Sequence, residues 1–123
     1  MSIVFSIITQ KGGVGKTTTV NALASSFHKM GYRVLCVDMD PQGNLSFSTG
    51  ADTNDSPTVY DAITGRVRVT SCIQSTSMTD IIPSNILLTG AELEFTGKNR
   101  EYILKNILSV IDDKYDYIFI DSP

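Results

Sequence analysis

A glycine-rich segment near the start of the chain places the strictest limit on its fold. The segment Lys11–Thr18 reads Lys-Gly-Gly-Val-Gly-Lys-Thr-Thr, and it follows the apolar run Ile3–Ile8. An amphipathic stretch comes next, so the order is strand, glycine-rich loop, helix. That order is the context of a phosphate-binding loop. The glycines let successive backbone N–H groups turn toward one anion, and the helix N-terminus adds its positive end.

The polar residues of this loop have distinct predicted roles. Lys16 is expected to place a cation on the outer phosphates of a nucleotide, and the Thr17 hydroxyl to bind Mg²⁺. The strict pattern has a glycine where Gln10 stands, so the match is to a variant loop with a second lysine, Lys11. We expect Lys11 to point away from its own nucleotide and to neutralise charge on a nucleotide held by a partner subunit, as an arginine finger does. The alternative is a glycine-rich turn with solvated lysines.

Two later apolar runs also end in acidic residues. Val34–Val37 is followed by Asp38 and Asp40, and Tyr117–Ile120 is followed by Asp121. In open parallel sheets, ligands bind at the carboxyl ends of the strands, so these side chains should converge with the glycine loop. Asp121 has the form of a Walker B carboxylate, which holds Mg²⁺ directly or through water. Taken alone, Asp121 would fit a helix cap or a turn residue better than a metal ligand, and Asp40-Pro41 would fit an ordinary turn equally well; the phosphate-binding loop beside them favours the functional interpretation.

Asp38 and Asp40 are two residues apart, so on an extended backbone they would face the same side of the sheet. One could then lie near the metal while the other orients a water molecule for attack on the γ-phosphate. Gln42 and Asn44, in the same segment, could order that water, or they could simply form the turn.

Periodicity predicts the remaining elements. Apolar residues at helical spacing predict a helix over Thr17–Met30 and another from about Asn99 to Asp113. A capping-box pattern begins at Thr58, a short strand is predicted over Asp80–Pro83, and a short helix over Leu88–Phe95. The fold class is therefore α/β, with a mainly parallel, doubly wound sheet of about four strands flanked by helices.

Composition narrows the class of protein further. The chain has 123 residues, enough for one small domain, and a net charge of −3 with ten scattered basic residues. It therefore carries no basic patch for nucleic acid or an anionic membrane. Cys36 and Cys72 lack metal-binding or redox spacing, which favours reduced thiols. His28 has no partner carboxylate at informative spacing and is interpreted as structural. No apolar stretch approaches the roughly 20 residues that span a bilayer.

Three segments together resemble the ParA/Soj chromosome and plasmid partition ATPases. Lys11–Thr18 looks like their deviant Walker A loop, Asp38–Asn44 like their switch I motif, and Tyr117–Pro123 like their Walker B region. The Asp-Pro-Gln-Gly-Asn sequence within Asp38–Asn44 separates this chain from the sister MinD group. The stretch Asp80–Asn85 is also similar to this family. The resemblance covers essentially the whole chain and implies a P-loop NTPase of the SIMIBI class.

The resemblance implies specific roles for individual residues. Lys11 is the signature lysine that crosses to the ATP of the other subunit. Asp40 positions the hydrolytic water, and Asp121 supports the metal. The residues implied to be catalytic are Lys11, Lys16 and Asp40, and those implied to hold Mg²⁺ are Thr17, Asp40 and Asp121. The implied nucleotide-binding residues are Lys11, Gly12, Gly13, Val14, Gly15, Lys16, Thr17 and Thr18.

The implied function is Mg²⁺-dependent binding and slow hydrolysis of ATP, used as a dimerisation switch for chromosome or plasmid partitioning. ATP and Mg²⁺ are the expected cofactors. The expected partners are a second copy of the chain, a ParB-type protein that stimulates hydrolysis, and non-specific DNA. The expected location is the bacterial cytoplasm, on the nucleoid and not in a membrane. The alternatives are a MinD-like or other deviant Walker A ATPase, and a non-catalytic regulator that senses nucleotide.

Members of this family are longer than this chain. We therefore expect residues 1–123 to be the N-terminal portion of a single ParA-like P-loop domain, with a sheet that is incomplete at the C-terminal end. The DNA-contacting surface is expected to lie outside these residues.

Overall fold

The computed structural model describes residues 2–8, 14–87 and 97–122. Within them a five-stranded sheet runs through the molecule. Its strands are β1 (Ile3–Ile8), β2 (Val34–Asp38), β3 (Gln74–Ser75), β4 (Asp80–Ile82) and β5 (Tyr117–Ser122). The order across the sheet is β1-β5-β2-β4-β3, with every neighbouring pair parallel except β3 and β4. The predicted mainly parallel α/β fold is confirmed.

Four α-helices accompany the strands in the part of the chain that the structure describes. They are α1 (Val14–Lys29), α2 (Asn44–Thr49), α3 (Val59–Ile63) and α4 (Gly97–Ser109). The helices predicted near Thr17–Met30, after Thr58 and near Asn99–Asp113 correspond to α1, α3 and α4. The short helix predicted over Leu88–Phe95 lies outside the described residues. No helix in the described ranges is both long and apolar enough to cross a membrane.

The sheet separates two hydrophobic cores, and β2 contributes to both. Leu35 and Val37 face one core together with α3 and α4, whereas Val34 and Cys36 face the other together with α1. Each of these four side chains is at most 3% exposed. A strand covered on both faces needs apolar residues at every position, which explains the continuous apolar run in the sequence. The helices therefore lie on both faces of the sheet, as predicted.

The sheet order brings the predicted site residues together. β5 lies between β1 and β2, and the register pairs Ile8 with Ser122 and Asp38 with Asp121. The carboxyl ends of the three strands thus meet at one edge of the sheet. Both aspartates are completely buried there.

The strand count differs from the predicted four because of β3. This two-residue strand pairs with β4 in an antiparallel hairpin. Its turn is held by Thr76 Oγ1, which donates to the carbonyl of Thr79 at 2.7 Å. Two residues are too few to produce an alternating pattern in the sequence, so periodicity could not detect the strand.

Candidate functional site

Thr17 and Asp121 are brought together across 104 positions of the chain. Thr17 lies in the first turn of α1 and is 8% exposed, while Asp121 lies in β5 and is completely buried. Thr17 Oγ1 donates a long hydrogen bond of 3.5 Å to Asp121 Oδ2. A hydroxyl and a carboxylate oxygen are hard ligands of the kind that Mg²⁺ prefers, together with water and phosphate oxygens. Two of the three predicted metal ligands therefore occupy one place in the fold.

The described residues contain no group of three His, Cys, Asp or Glu side chains that could hold a metal by themselves. A magnesium site in a phosphate-binding loop does not need such a group, because the loop hydroxyl, one carboxylate, the nucleotide phosphates and water complete the coordination. Thr17 and Asp121 fit that donor set.

Asp38 is a buried carboxylate that its own chain surrounds with donors. Its Oδ1 accepts the backbone N–H of Asp40 at 3.0 Å, and its Oδ2 accepts both the backbone N–H and the hydroxyl of Ser46 at 2.9 and 2.6 Å. Burial raises the pKa of Asp38 to about 6; hydrogen bonds from Ser46 and Asp40 oppose the rise, and the charge of Asp121 adds to it. The carboxylate therefore holds the chain on both sides of the loop that follows β2.

Asp40 belongs to that loop and not to the strand. β2 ends at Asp38, and Asp40 follows it two residues later in the loop. Asp40 Oδ1 accepts the backbone N–H of Gln42 at 3.0 Å, and the Asp40 carbonyl accepts that of Gly43 at 2.9 Å. Asp38 is thus buried and Asp40 half-buried in a turn. In this arrangement Asp40 remains a predicted catalytic and metal-binding residue.

The residues of the glycine-rich segment are only partly described. Lys11, Gly12 and Gly13 lie outside the described residues, so their predicted roles stay predictions. Val14, Gly15 and Lys16 form the first turn of α1, next to Thr17. This places their backbone at the N-terminus of a helix that follows β1, where backbone N–H groups favour an anion.

Ser46 is a residue of this site that sequence reasoning missed. It lies in α2 and is completely buried. Besides donating to Asp38, its Oγ accepts the backbone N–H of Ser84 at 2.9 Å. Ser46 stands three residues after Gly43, and no sequence pattern there distinguishes a buried serine from a solvent-exposed one. Only the three-dimensional contact between the ends of β2 and β4 reveals it.

A family profile described as an AAA domain matches residues 2–123. The chain belongs to this AAA domain family. The sporulation initiation inhibitor protein Soj of Bacillus subtilis is 42% identical over 127 residues, which cover 100% of this chain and 50% of that protein. The chromosome-partitioning ATPase Soj of Treponema pallidum is 40% identical, covering 94% of this chain and 46% of that protein. The resemblance to ParA/Soj-type partition ATPases is confirmed.

Solved structures agree with the fold. Cobyrinic acid a,c-diamide synthase from Mycobacterium smegmatis, with a bound ATP analogue and magnesium, superposes with a TM-score of 0.89 at 39% identity. The superposition covers 98% of this chain and 51% of that one. The ligands of that structure are in line with the predicted cofactors, ATP and Mg²⁺. This member of the AAA domain family spans about half the length of the relatives it matches.

Proposed function

We propose that the protein binds ATP with Mg²⁺, hydrolyses it slowly, and uses the nucleotide state as a dimerisation switch in chromosome or plasmid partitioning. The approach of Thr17 Oγ1 to Asp121 Oδ2 carries the proposal, because it places a hydroxyl and a carboxylate at the start of the helix that follows the glycine-rich loop. Similarity to the Soj proteins over 94% to 100% of the chain supports the role in partitioning.

In this proposal each residue of the site has one task. The backbone amides of residues 12–18 and the Lys16 ammonium bind the phosphates. Thr17 and Asp121 hold Mg²⁺, which would neutralise phosphate charge when bound. Asp40 orients water toward the γ-phosphate from the loop after β2. Little covalent chemistry is needed from the protein, so positioning and charge neutralisation account for the rate.

The partners follow from the same proposal. Lys11 crosses to the nucleotide of a second copy, so ATP favours the dimer. A ParB-type protein stimulates hydrolysis, and the dimer binds DNA non-specifically in the bacterial cytoplasm. Residues 1–123 contribute to one P-loop ATPase domain in this scheme.

The first test is calorimetric titration with Mg-ATP and Mg-GTP, with circular dichroism to confirm folding. We expect saturable ATP binding that weakens about 10- to 100-fold in Lys16→Ala, because a charge-assisted contact to phosphate is lost. Lys29→Ala is the matched control, since Lys29 is an exposed lysine in the last turn of the same helix. The same titration on the protein encoded by the complete gene distinguishes a site that needs more residues from a site that does not exist. Absence of ATP binding in both would refute the proposal.

The second test separates the enzyme from a regulator that binds nucleotide without hydrolysing it. Phosphate release is measured with and without DNA and a ParB-type partner. We expect Asp40→Ala to abolish turnover while ATP binding is retained. Binding without turnover under every condition would favour the regulator.

A further inference from the structure

The hydroxyl of Ser46 joins three parts of the chain at the base of the loop that carries Asp40. Its hydrogen is donated to Asp38 Oδ2 at the end of β2, at 2.6 Å. Its oxygen accepts the backbone N–H of Ser84, just after β4, at 2.9 Å. Ser46 itself lies in α2, on the far side of the loop. One buried oxygen atom therefore fixes the relative positions of two strand ends and a helix.

The same hydrogen bonds enclose the loop that contains Asp40. Asp38 accepts the backbone N–H of Asp40 on one side of the loop and both donors of Ser46 on the other. One carboxylate thus accepts hydrogen bonds from both ends of the loop. A Cβ added at Gly43 would lie 3.5 Å from the Ser84 carbonyl oxygen, an ordinary van der Waals distance, so the segment after β4 borders the loop.

We propose that Ser46 is a positioning residue for hydrolysis, acting through Asp38 and the loop on the placement of Asp40. This inference rests on the proposed ATPase function. Position 46 requires a hydroxyl group, because its side chain must donate to a carboxylate and accept from an N–H at the same time. Alanine at this position leaves the buried Ser84 N–H without its acceptor and removes one of the three donors to Asp38. The loop then loses one of the hydrogen bonds that fix its base.

The test compares turnover with nucleotide affinity in matched variants. In Ser46→Ala we expect kcat for ATP to fall about tenfold, since a small misplacement of a group that orients the nucleophile slows the reaction steeply. The Kd for Mg-ATP should stay within about twofold, because the hydrogen bonds of the Ser46 side chain go to Asp38 and Ser84, in the segments that follow β2 and β4. Ser46→Thr keeps the hydroxyl and should restore most of the rate.

Ser48→Ala is the matched control. Ser48 lies in the same helix, and its hydroxyl donates to the Leu45 carbonyl and accepts from Asn21, away from Asp38. We expect wild-type kcat and Kd for this variant. A kcat of Ser46→Ala within twofold of the wild type would overturn the inference, and so would a parallel loss of binding and turnover.

Amide hydrogen exchange without nucleotide gives a readout that does not depend on activity. We expect the N–H groups of Asp40 and Gln42 to exchange several-fold faster in Ser46→Ala than in Ser48→Ala. If the wild type binds ATP but does not hydrolyse it, the ATPase proposal and the role in hydrolysis both fail, and this measurement decides only whether Ser46 holds the loop in place. Unchanged exchange would overturn the inference. If Ser46→Ala does not fold, Ser46→Cys, which keeps the volume and weakens the donor, is measured in its place.

Discussion

At the scale of single residues, Asp38 combines complete burial with three hydrogen-bond donors. A carboxylate without solvent exposure normally favours its protonated form, and the three donors around Asp38 offset only part of that tendency. The result is a pKa raised to about 6, with burial as its main cause. The folded protein therefore binds a proton at Asp38 more tightly than the unfolded chain, in which an aspartate has a pKa of about 3.9.

This difference predicts a pH-dependent loss of stability. The contribution of Asp38 is fully present below about pH 4 and is lost as the pH rises to about 6, because the unfolded chain releases the proton first. The loss is on the order of 3 kcal/mol, from about two pKa units at 1.36 kcal/mol each. Urea unfolding of the wild type and Asp38→Asn between pH 4 and pH 8 measures it.

The comparison with Asp38→Asn isolates this one group. Asp52, Asp112 and Asp116 have lowered pKa values caused chiefly by hydrogen bonds, so they destabilise the protein as the pH falls. That effect is common to both proteins and cancels in the difference. We expect the wild type to lose stability relative to Asp38→Asn as the pH rises from 4 to 6, with no further change above pH 7. A difference that is constant with pH would contradict the raised pKa.

At the scale of elements, the sequence predicted the helices and strands that carry an apolar pattern. It did not predict α2, whose formation depends on the turns at its two ends. The helical stripe of α1 places Val20 and Ala24 in the core, and the run around Cys36 forms a buried strand. In contrast, α2 has only six residues and no periodic stripe. It forms because Gly43 and Gly50 turn the chain at its two ends, a property that sequence alone does not distinguish from an ordinary loop.

Some contacts of the candidate site could also be predicted from the sequence, and others could not. The sequence predicted that Thr17 and Asp121 meet, because both follow from the rule that ligands bind at the carboxyl ends of parallel strands. The contacts of Asp38 could not be predicted, since they depend on where the loop returns after Asp40. The Ser46 contact also depends on the position of β4 beside β2, which no local pattern encodes.

The glycine that begins α2 gives a test at this scale. Gly43 has φ +68°, in the left-handed region, and its carbonyl accepts the N–H of Phe47 at 2.8 Å. Alanine resists this conformation, so we expect Gly43→Ala to lower the free energy of unfolding by about 1 kcal/mol. Gly43→Asn should cost less, because asparagine tolerates a positive φ. Urea unfolding measures both, and equal stability of Gly43→Ala and the wild type would contradict the conformation described for this helix start.

At the scale of the whole molecule, β1 lies at one end of the sheet. Among the described residues it pairs only with β5, and its other edge has no strand beside it. Ile3, Val4 and Phe5 are 54%, 46% and 42% exposed, which is high for a strand of this composition. Phe5 stacks on Phe119 at a ring distance of 5.4 Å on one face. On the other face, a groove of about 440 Å³ separates Val4 from Leu104 and Leu108.

An open strand edge beside an apolar groove favours pairing between copies, because unpaired backbone groups and exposed apolar side chains are both available. We therefore expect the chain of residues 1–123, studied by itself, to self-associate as its concentration rises. A charge at the groove should oppose this, so Val4→Lys should shift the sedimentation velocity distribution toward the monomer. Val110→Lys is the matched control, since Val110 is 66% exposed and does not line the groove. If both variants reduce association equally, net charge and not the β1 edge governs it. If neither does, the contact between copies lies elsewhere on the molecule.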